Sequence, residues 1–342
     1  MSAAAILALF SRFSYSRPQM AEPLHLTVVC PVYNEEHTIP LFYERTRKVL
    51  EALASNYSWS ILFIDNDSHD KSQEIIRNIC EKDRHVYRIA LTRNFGYQSS
   101  VECGLRNAQG NLIVVIDVDC EDPPEMIPDF LRLHAQGYDV VYGERLDRIE
   151  NPLLKLGRKI FYRFTRAVAD EHFNLDMAEF CLITSEVRDA IVQDNNSFPF
   201  IRASIGRIGF NQKNLPYKRQ RRIAGKTHYS LMRMTIFAVA GILSSSTIIL
   251  RLPAYALPFW LLFMLVFPML GHCLGWTWYL PATLSVGFGF CGFVLAGMSI
   301  YMARVYKNGL NRPNFIINKK KSRMEPLTQN ASTALPQARA GS

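Results

Sequence analysis

The sequence predicts an α/β domain with a mostly parallel sheet covered on both faces, followed by a pair of long apolar helices. Two observations carry this. Residues 24–143 alternate β-branched apolar runs of strand length with segments of helix length, and Leu252 to Ala303 contain no Asp, Glu, Lys or Arg. The alternation is the pattern of βαβ units, and apolar runs without polar interruptions belong to strands buried on both faces.

The strand-length runs are LTVVCPV, SILFID, VYRIAL, NLIVVIDV and YDVVYG, with helix-length segments near 37–54, 71–82, 97–109 and 124–136. Ligands of such sheets bind beyond the carboxyl ends of the strands. Three of these ends carry polar clusters: YNEE at 33–36, DNDSHD at 65–70 and DVDCED at 117–122. They are expected to converge on one crevice. No GxGxxG follows the first strand and no GxxxxGK[ST] occurs, which removes the main support for dinucleotide-binding and P-loop readings.

The middle of the chain changes character. Leu153, Leu156, Ile160, Phe164 and Val168 fall on one helical face, while Lys155, Arg158, Lys159, Arg163 and Arg166 occupy most of the remainder. A basic amphipathic helix near 152–168 is suited to a lipid headgroup layer.

The apolar stretch from Leu252 to Ala303 is 52 residues long, enough for two spans of about 20 residues each with a reversal between them. Trp276, Trp278 and Tyr279 cluster where an interfacial belt would lie. A further apolar run, Met234–Leu250, is short at 17 residues and holds Ser244, Ser245, Ser246 and Thr247, so it reads as an interfacial helix over 231–251. Basic residues flank the apolar third on both sides, Lys218 to Arg233 before it and Arg304 to Arg323 after it. Both flanks are therefore expected in the cytoplasm, which requires an even number of spans. The expected organisation is an extension over 1–23, a catalytic domain over 24–230, the interfacial helix, two spans over 252–303 and a basic tail over 304–342.

The bulk composition agrees. The 342 residues are 49% hydrophobic, and a net charge of +9 suits nucleic acid, a membrane surface or an anionic substrate. The basic loop 213–226 offers only Tyr217 as an aromatic and leads directly into apolar sequence, so lipid phosphate fits it better than nucleic acid. Seven cysteines with no CxxC pair read as reduced thiols of a cytosolic compartment. The apolar run at the amino terminus is interrupted by Arg12 and lacks a preceding basic stretch, unlike a cleaved signal peptide.

Clustered carboxylates at a strand end call for a cation, and oxygen ligands suit Mg²⁺ or Mn²⁺. Asp117 and Asp119 lie two apart, so along a strand their side chains would be about 6.6 Å from each other. One ion is then held directly by one of them unless the chain bends. A blander reading, an acidic helix start with early prolines, accounts for Asp122-Pro123-Pro124-Glu125 but not for Asp117 and Asp119.

The segments PVYNEEHTIP (31–40), IDNDSHDKS (64–72), LTRNFGYQSSVECGLRNAQGNLIVVIDVDCEDPPE (91–125), GYDVVYGERLDR (137–148) and RRIAGKTHY (221–229) follow one another in order. Together they resemble the family 2 glycosyltransferases that move a sugar from a nucleotide donor to a polyprenyl phosphate. That group includes dolichol-phosphate mannose synthases and bactoprenol glucosyltransferases. The resemblance spans about residues 25–316, including RPNFII after the apolar third, and it does not specify the sugar.

The resemblance implies a GT-A, Rossmann-like catalytic domain, a Mg²⁺ or Mn²⁺ cofactor, and a UDP- or GDP-linked donor. It also implies an undecaprenyl or dolichyl phosphate acceptor, a place in the inner (cytoplasmic) membrane, a role in glycan or envelope modification, and homo-oligomers, often tetramers. It further implies that Pro31, Tyr33, Glu35, Ile64 and Asn66 line the nucleotide, and that Asp117 and Asp119 form the DxD motif. Asp119 and Glu121 become metal ligands, Arg145 meets phosphate or acceptor, and Arg222 and His228 bind anionic oxygens near the membrane. Glu179 stands at the catalytic carboxylate position, with one methylene more than the usual Asp. Asn66, Glu121, Cys181 and His228 depart from the common Asp, Gln, Arg and Lys. Two rivals are weighed. A processive polysaccharide synthase would carry QxxRW, and none of the four tryptophans follows an arginine. A non-catalytic membrane module that senses nucleotide sugars would release no nucleotide in the presence of lipid phosphate.

Overall fold

The computed structural model describes residues 24–146, 177–193, 201–220, 247–310 and 312–324. The extension over 1–23, the basic helix near 152–168, most of the interfacial segment over 231–251, and the expected binding residues Arg222 and His228 lie outside the described residues.

Seven strands form one sheet. They are β1 (Leu24–Val32), β2 (Tyr57–Asp65), β3 (Val86–Ala90), β4 (Leu112–Val115), β5 (Val140–Leu146), β6 (Met177–Thr184) and β7 (Gln212–Lys218), in the order β3-β2-β1-β4-β6-β5-β7. Every neighbouring pair is parallel except those made by β6, which runs antiparallel to both β4 and β5. The five expected strands are present. β6 and β7 were not anticipated: MAEFCLIT reads as a motif rather than a strand, and QKNLPYK is too polar to stand out.

The helices are α1 (Ile39–Leu53), α2 (Ser72–Lys82), α3 (Tyr97–Asn107), α4 (Ile127–His134), α5 (Ser185–Val192), α6 (Ile201–Arg207), α7 (Ile248–Cys273) and α8 (Tyr279–Gly309). The continuous apolar strands are explained by cover on both sides. Val28, Cys30, Phe63 and Val114 pack with Phe42 and Leu50 of α1, Ile76 of α2 and Phe130 of α4. Val29, Ile64, Ile113 and Val115 pack on the other face with Val101 and Leu105 of α3, Val187 of α5 and Ile205 of α6. A Cβ on Gly104 would lie 2.2 Å from Val29 Cγ1. That close approach seats α3 directly on β1 and fixes its first turn beside the end of β4.

Two helices are apolar and long enough to cross a membrane, Leu250–Cys273 and Tyr279–Gly309, with mean hydropathy 1.8 and 1.7. They pair with each other through stacked Trp260 and Phe290, at 4.8 Å between centroids, and expose large side chains such as Phe259 and Phe288 elsewhere. The first begins at Ile248 and the second ends at Gly309, beyond the expected limits of 252 and 303. Arg251 and Arg304 to Lys307 continue the helices because charge at a helix end breaks hydropathy, not hydrogen bonding.

The chain after α8 returns to the sheet. Thr92 N donates to Ile316 O at 3.0 Å, Arg88 N to Arg323 O at 2.9 Å, and Asn318 N to Ala90 O at 2.8 Å. The basic tail thus covers the β3 edge, which would otherwise present unpaired backbone groups.

Candidate active site

The carboxyl ends of β1, β2 and β4 are each followed by a non-glycine residue in the left-handed region: Asn34 at φ 55°, Asp67 at φ 60° and Cys120 at φ 59°. Asn and Asp tolerate this conformation, whereas for Cys120 it is strained by roughly 1–2 kcal/mol. Such strain persists where surrounding contacts over-determine it, and here the contacts are polar.

The first two strand ends are laced together. Asn34 N donates to Ser68 Oγ at 3.0 Å and His69 N to Asn34 Oδ1 at 2.8 Å, while Glu35 N donates to Ser72 Oγ at 2.9 Å. Tyr33 is exposed, and Pro31 and Ile64 stand opposite each other in the β1–β2 register. Asn66 is buried: its amide nitrogen donates to Asn94 Oδ1 at 3.0 Å and its carbonyl accepts from Phe95 N at 2.9 Å. It therefore holds the loop that leads through Gly96, at φ 92°, into α3.

The first turn of α3 faces the carboxylates. Tyr97 Oη donates to Asp117 Oδ1 at 2.8 Å, and Gln98 Nε2 donates to Glu179 Oε1 at 3.1 Å. Arg202 of α6 pairs with the same Glu179 oxygen at 2.9 Å. Cys181, which stands where the family has Arg, is buried in the core, so the guanidinium beside Glu179 comes from α6 instead.

The acidic turn follows β4. The strand ends at Val115, so Asp117 and Asp119 lie in a bent segment rather than on a pleated strand, and the 6.6 Å estimate for two residues along a strand does not apply to them. Burial, then the neighbouring Asp119 and Asp122, push the Asp117 carboxyl up to about 7, with Glu179 adding to the effect. Burial and then Asp117 raise Tyr97 well above the ordinary phenol value, so it remains the donor.

Asp122, Tyr217 and Arg219, which the sequence did not assign to the site, join Tyr97, Gln98 and Arg202 in it. Asp122 is fully buried and accepts from Tyr217 Oη, and it pairs with Arg145 at 3.3 Å. It is not a helix cap: α4 is preceded by a short 3₁₀ turn at Pro124–Met126. Arg219, just after β7, meets Glu121 Oε2 at 2.5 Å and Asp119 Oδ2 at 3.8 Å. The only advance signal for these was that DCED sits in a basic chain and that loop 213–226 is rich in cations.

The family resemblance read from the sequence implies a divalent cation. Among the described residues no group of three or more His, Cys, Asp or Glu side chains is placed to hold one. Mg²⁺ commonly takes one or two protein carboxylates and completes its shell with phosphate oxygens and water. Asp119 and Glu121 are a carboxylate pair of the kind such an ion takes, and both face one positive group, the Arg219 guanidinium, through different nitrogens.

The family model described as glycosyl transferase family 2 matches residues 27–188, which include most of β1, all of β2 to β6 and the acidic turn. An uncharacterized glycosyltransferase, YkcC, of Bacillus subtilis is 33% identical over 313 residues, covering 88% of this chain and 95% of that protein. The chain belongs to glycosyl transferase family 2. As a family 2 chain it is similar to the SfII prophage-derived bactoprenol glucosyl transferase of Shigella flexneri, at 31% identity over 86% of this chain and 98% of that one. It is also similar to the undecaprenyl-phosphate 4-deoxy-4-formamido-L-arabinose transferase of Pectobacterium carotovorum, at 27% identity over 89% and 96%. The GT-A, mostly parallel sheet expected from the resemblance is the sheet found.

Proposed function

We propose that this family 2 chain is a membrane-anchored glycosyltransferase that moves a sugar from a nucleotide donor to a polyprenyl phosphate, with inversion at the anomeric carbon. The observation that carries the reading is the cluster of Asp117, Asp119, Glu121, Asp122 and Glu179 at one end of the sheet, paired with Arg145, Arg202 and Arg219. Opposed charges there suit a reaction between two phosphate-bearing reactants. The relatives support the acceptor more than the sugar: one name pairs glucose with bactoprenol, another pairs a formamido-arabinose with undecaprenyl phosphate.

The chemistry asks little of a general base. A phosphate monoester has a second pKa of about 6, so the acceptor is already largely ionised near neutrality. An acceptor phosphate oxygen forms a bond to the anomeric carbon as the bond from that carbon to the donor diphosphate breaks, and the electron pair leaves with the nucleoside diphosphate. When bound, a divalent cation on Asp119 and Glu121 supplies charge neutralisation for that leaving group. Arg145, held by buried Asp122 and Tyr217, is preorganised to bind phosphate oxygens. Glu179, fixed from two sides by Gln98 and Arg202, acts as an orienting group for acceptor or sugar. Tyr33, Glu35 and the β1–β2 ends bind the nucleotide, and Asn66 positions the loop beside it.

Anchorage by α7 and α8 follows from their exposed apolar surface. The tail beyond α8 bonds to the sheet that precedes α7, so both ends of the helix pair share one side, as an even number of crossings requires. The reading is tested by incubating the full-length protein in detergent with a panel of UDP- and GDP-sugars, polyprenyl phosphate, and Mg²⁺ or Mn²⁺, then extracting lipid. Sugar in the organic phase that depends on the lipid phosphate supports it. Nucleotide release without lipid-linked product, or none with any donor, counts against it.

A further inference from the structure

Two arginines serve the acidic turn, and their settings differ. Arg145 pairs with fully buried Asp122 at 3.3 Å and with Tyr217 Oη at 3.3 Å, away from the carboxylates assigned to the cation. Arg219 is more exposed and faces three carboxylates at once: Glu121 at 2.5 Å, Asp122 at 3.6 Å and Asp119 at 3.8 Å. The backbone next to it is pinned to the same turn. Gln220 N donates to Glu121 O at 2.9 Å, and Arg45 reaches Gln220 Oε1 at 3.3 Å.

A guanidinium and a divalent ion cannot share the oxygens of Asp119 and Glu121 without strong repulsion, because a few ångströms separate like charges in a partly desolvated site. We propose that Arg219 is the resident counter-ion of the acidic turn and that the divalent cation displaces it. This rests on the cation assignment made under the proposed function. Without Arg219, the clustered carboxylates of the metal-free protein would repel one another uncompensated. With it, a bare cation competes against a bound charge, whereas a cation arriving with a diphosphate brings further oxygens and wins. Arg219 thereby makes cation uptake depend on the donor.

The test is a Mn²⁺ titration of the full-length protein in detergent, without nucleotide, followed by electron paramagnetic resonance of the free ion. Wild type, Arg219→Gln, Arg219→Lys and Asp119→Asn are compared. Arg219→Gln is expected to bind Mn²⁺ about tenfold more tightly than wild type, Arg219→Lys close to wild type, and Asp119→Asn more weakly than either. Thermal unfolding provides a second readout: Arg219→Gln is expected to melt lower than wild type in EDTA and to gain more from Mn²⁺. Equal or weaker Mn²⁺ binding by Arg219→Gln overturns the proposal. If Asp119→Asn still weakens binding in that case, the cation assignment stands and only the role of Arg219 falls. If no variant differs from Asp119→Asn, the assignment falls as well.

Discussion

Asp119 and Glu179 are both carboxylates of this site, yet their surroundings give them different duties. Asp119 shares a cationic partner with Glu121, while Glu179 is held by a neutral amide and an arginine. Asp119→Asn is expected to lower transfer by at least about a hundredfold, the scale of losing a charge-stabilising ligand. Glu179→Gln is expected to leave appreciable turnover; equal and total loss in initial-rate assays of both would contradict the division. Asp117 carries a stability prediction. Its carboxyl sits near 7 in the fold, raised first by burial and then by Asp119 and Asp122, against about 3.9 in an unfolded chain. Between those values the folded chain holds a proton that the unfolded chain has released. The stability due to that proton is fully present below about 4 and is lost as pH rises through about 7. In EDTA, Asp117→Asn should therefore stabilise the protein at pH 8, by on the order of 1–3 kcal/mol, with the gain shrinking towards zero as pH falls to about 4, as read by denaturant melts. Asp117 and Asp119 could be picked out by their place after a strand, and Glu179 only by the family resemblance. Asp122, Arg219 and Arg202 were not legible, since a counter-charge is defined by partners on other elements, as Asp122 is by Tyr217 95 residues away, and leaves no local pattern.

At the scale of elements, α3 organises the site. Gly104 lets it lie on β1, Asn66 and Gly96 set where it starts, and consecutive residues of its first turn hold Asp117 and Glu179. Gln98→Ala should lower kcat several-fold with little change in the KM for donor, and Gln98→Glu should be worse, since it sets a like charge against Glu179. A change confined to KM would contradict a positioning role. The expected strands and helices of residues 24–136 were readable from periodicity because both faces of the sheet are apolar. β7 was not, being an edge strand with few apolar residues, and β6 hid behind its motif. The tail was read as a simple basic extension. It instead pairs with β3, an interaction between residues more than 200 positions apart that no local pattern encodes. Ending the chain at Leu310 should lower the melting temperature by several degrees and promote aggregation through the bared β3 edge. An unchanged melt and a monodisperse elution profile would show that the edge needs no cover.

The whole molecule joins a sheet with an acidic turn beyond its strand ends to an apolar helix pair, and the chain after that pair returns to the sheet. Under the proposed function this puts a site for two phosphate-bearing reactants and a membrane anchor in one chain. The most direct measurement is the affinity of the full-length protein in detergent for UDP- and GDP-sugars, with and without divalent cation. Saturable binding of an activated sugar with Mg²⁺ or Mn²⁺, lost in EDTA and in Asp119→Asn, is the predicted result. Binding that is indifferent to EDTA, or absent for every donor with either cation, would contradict it.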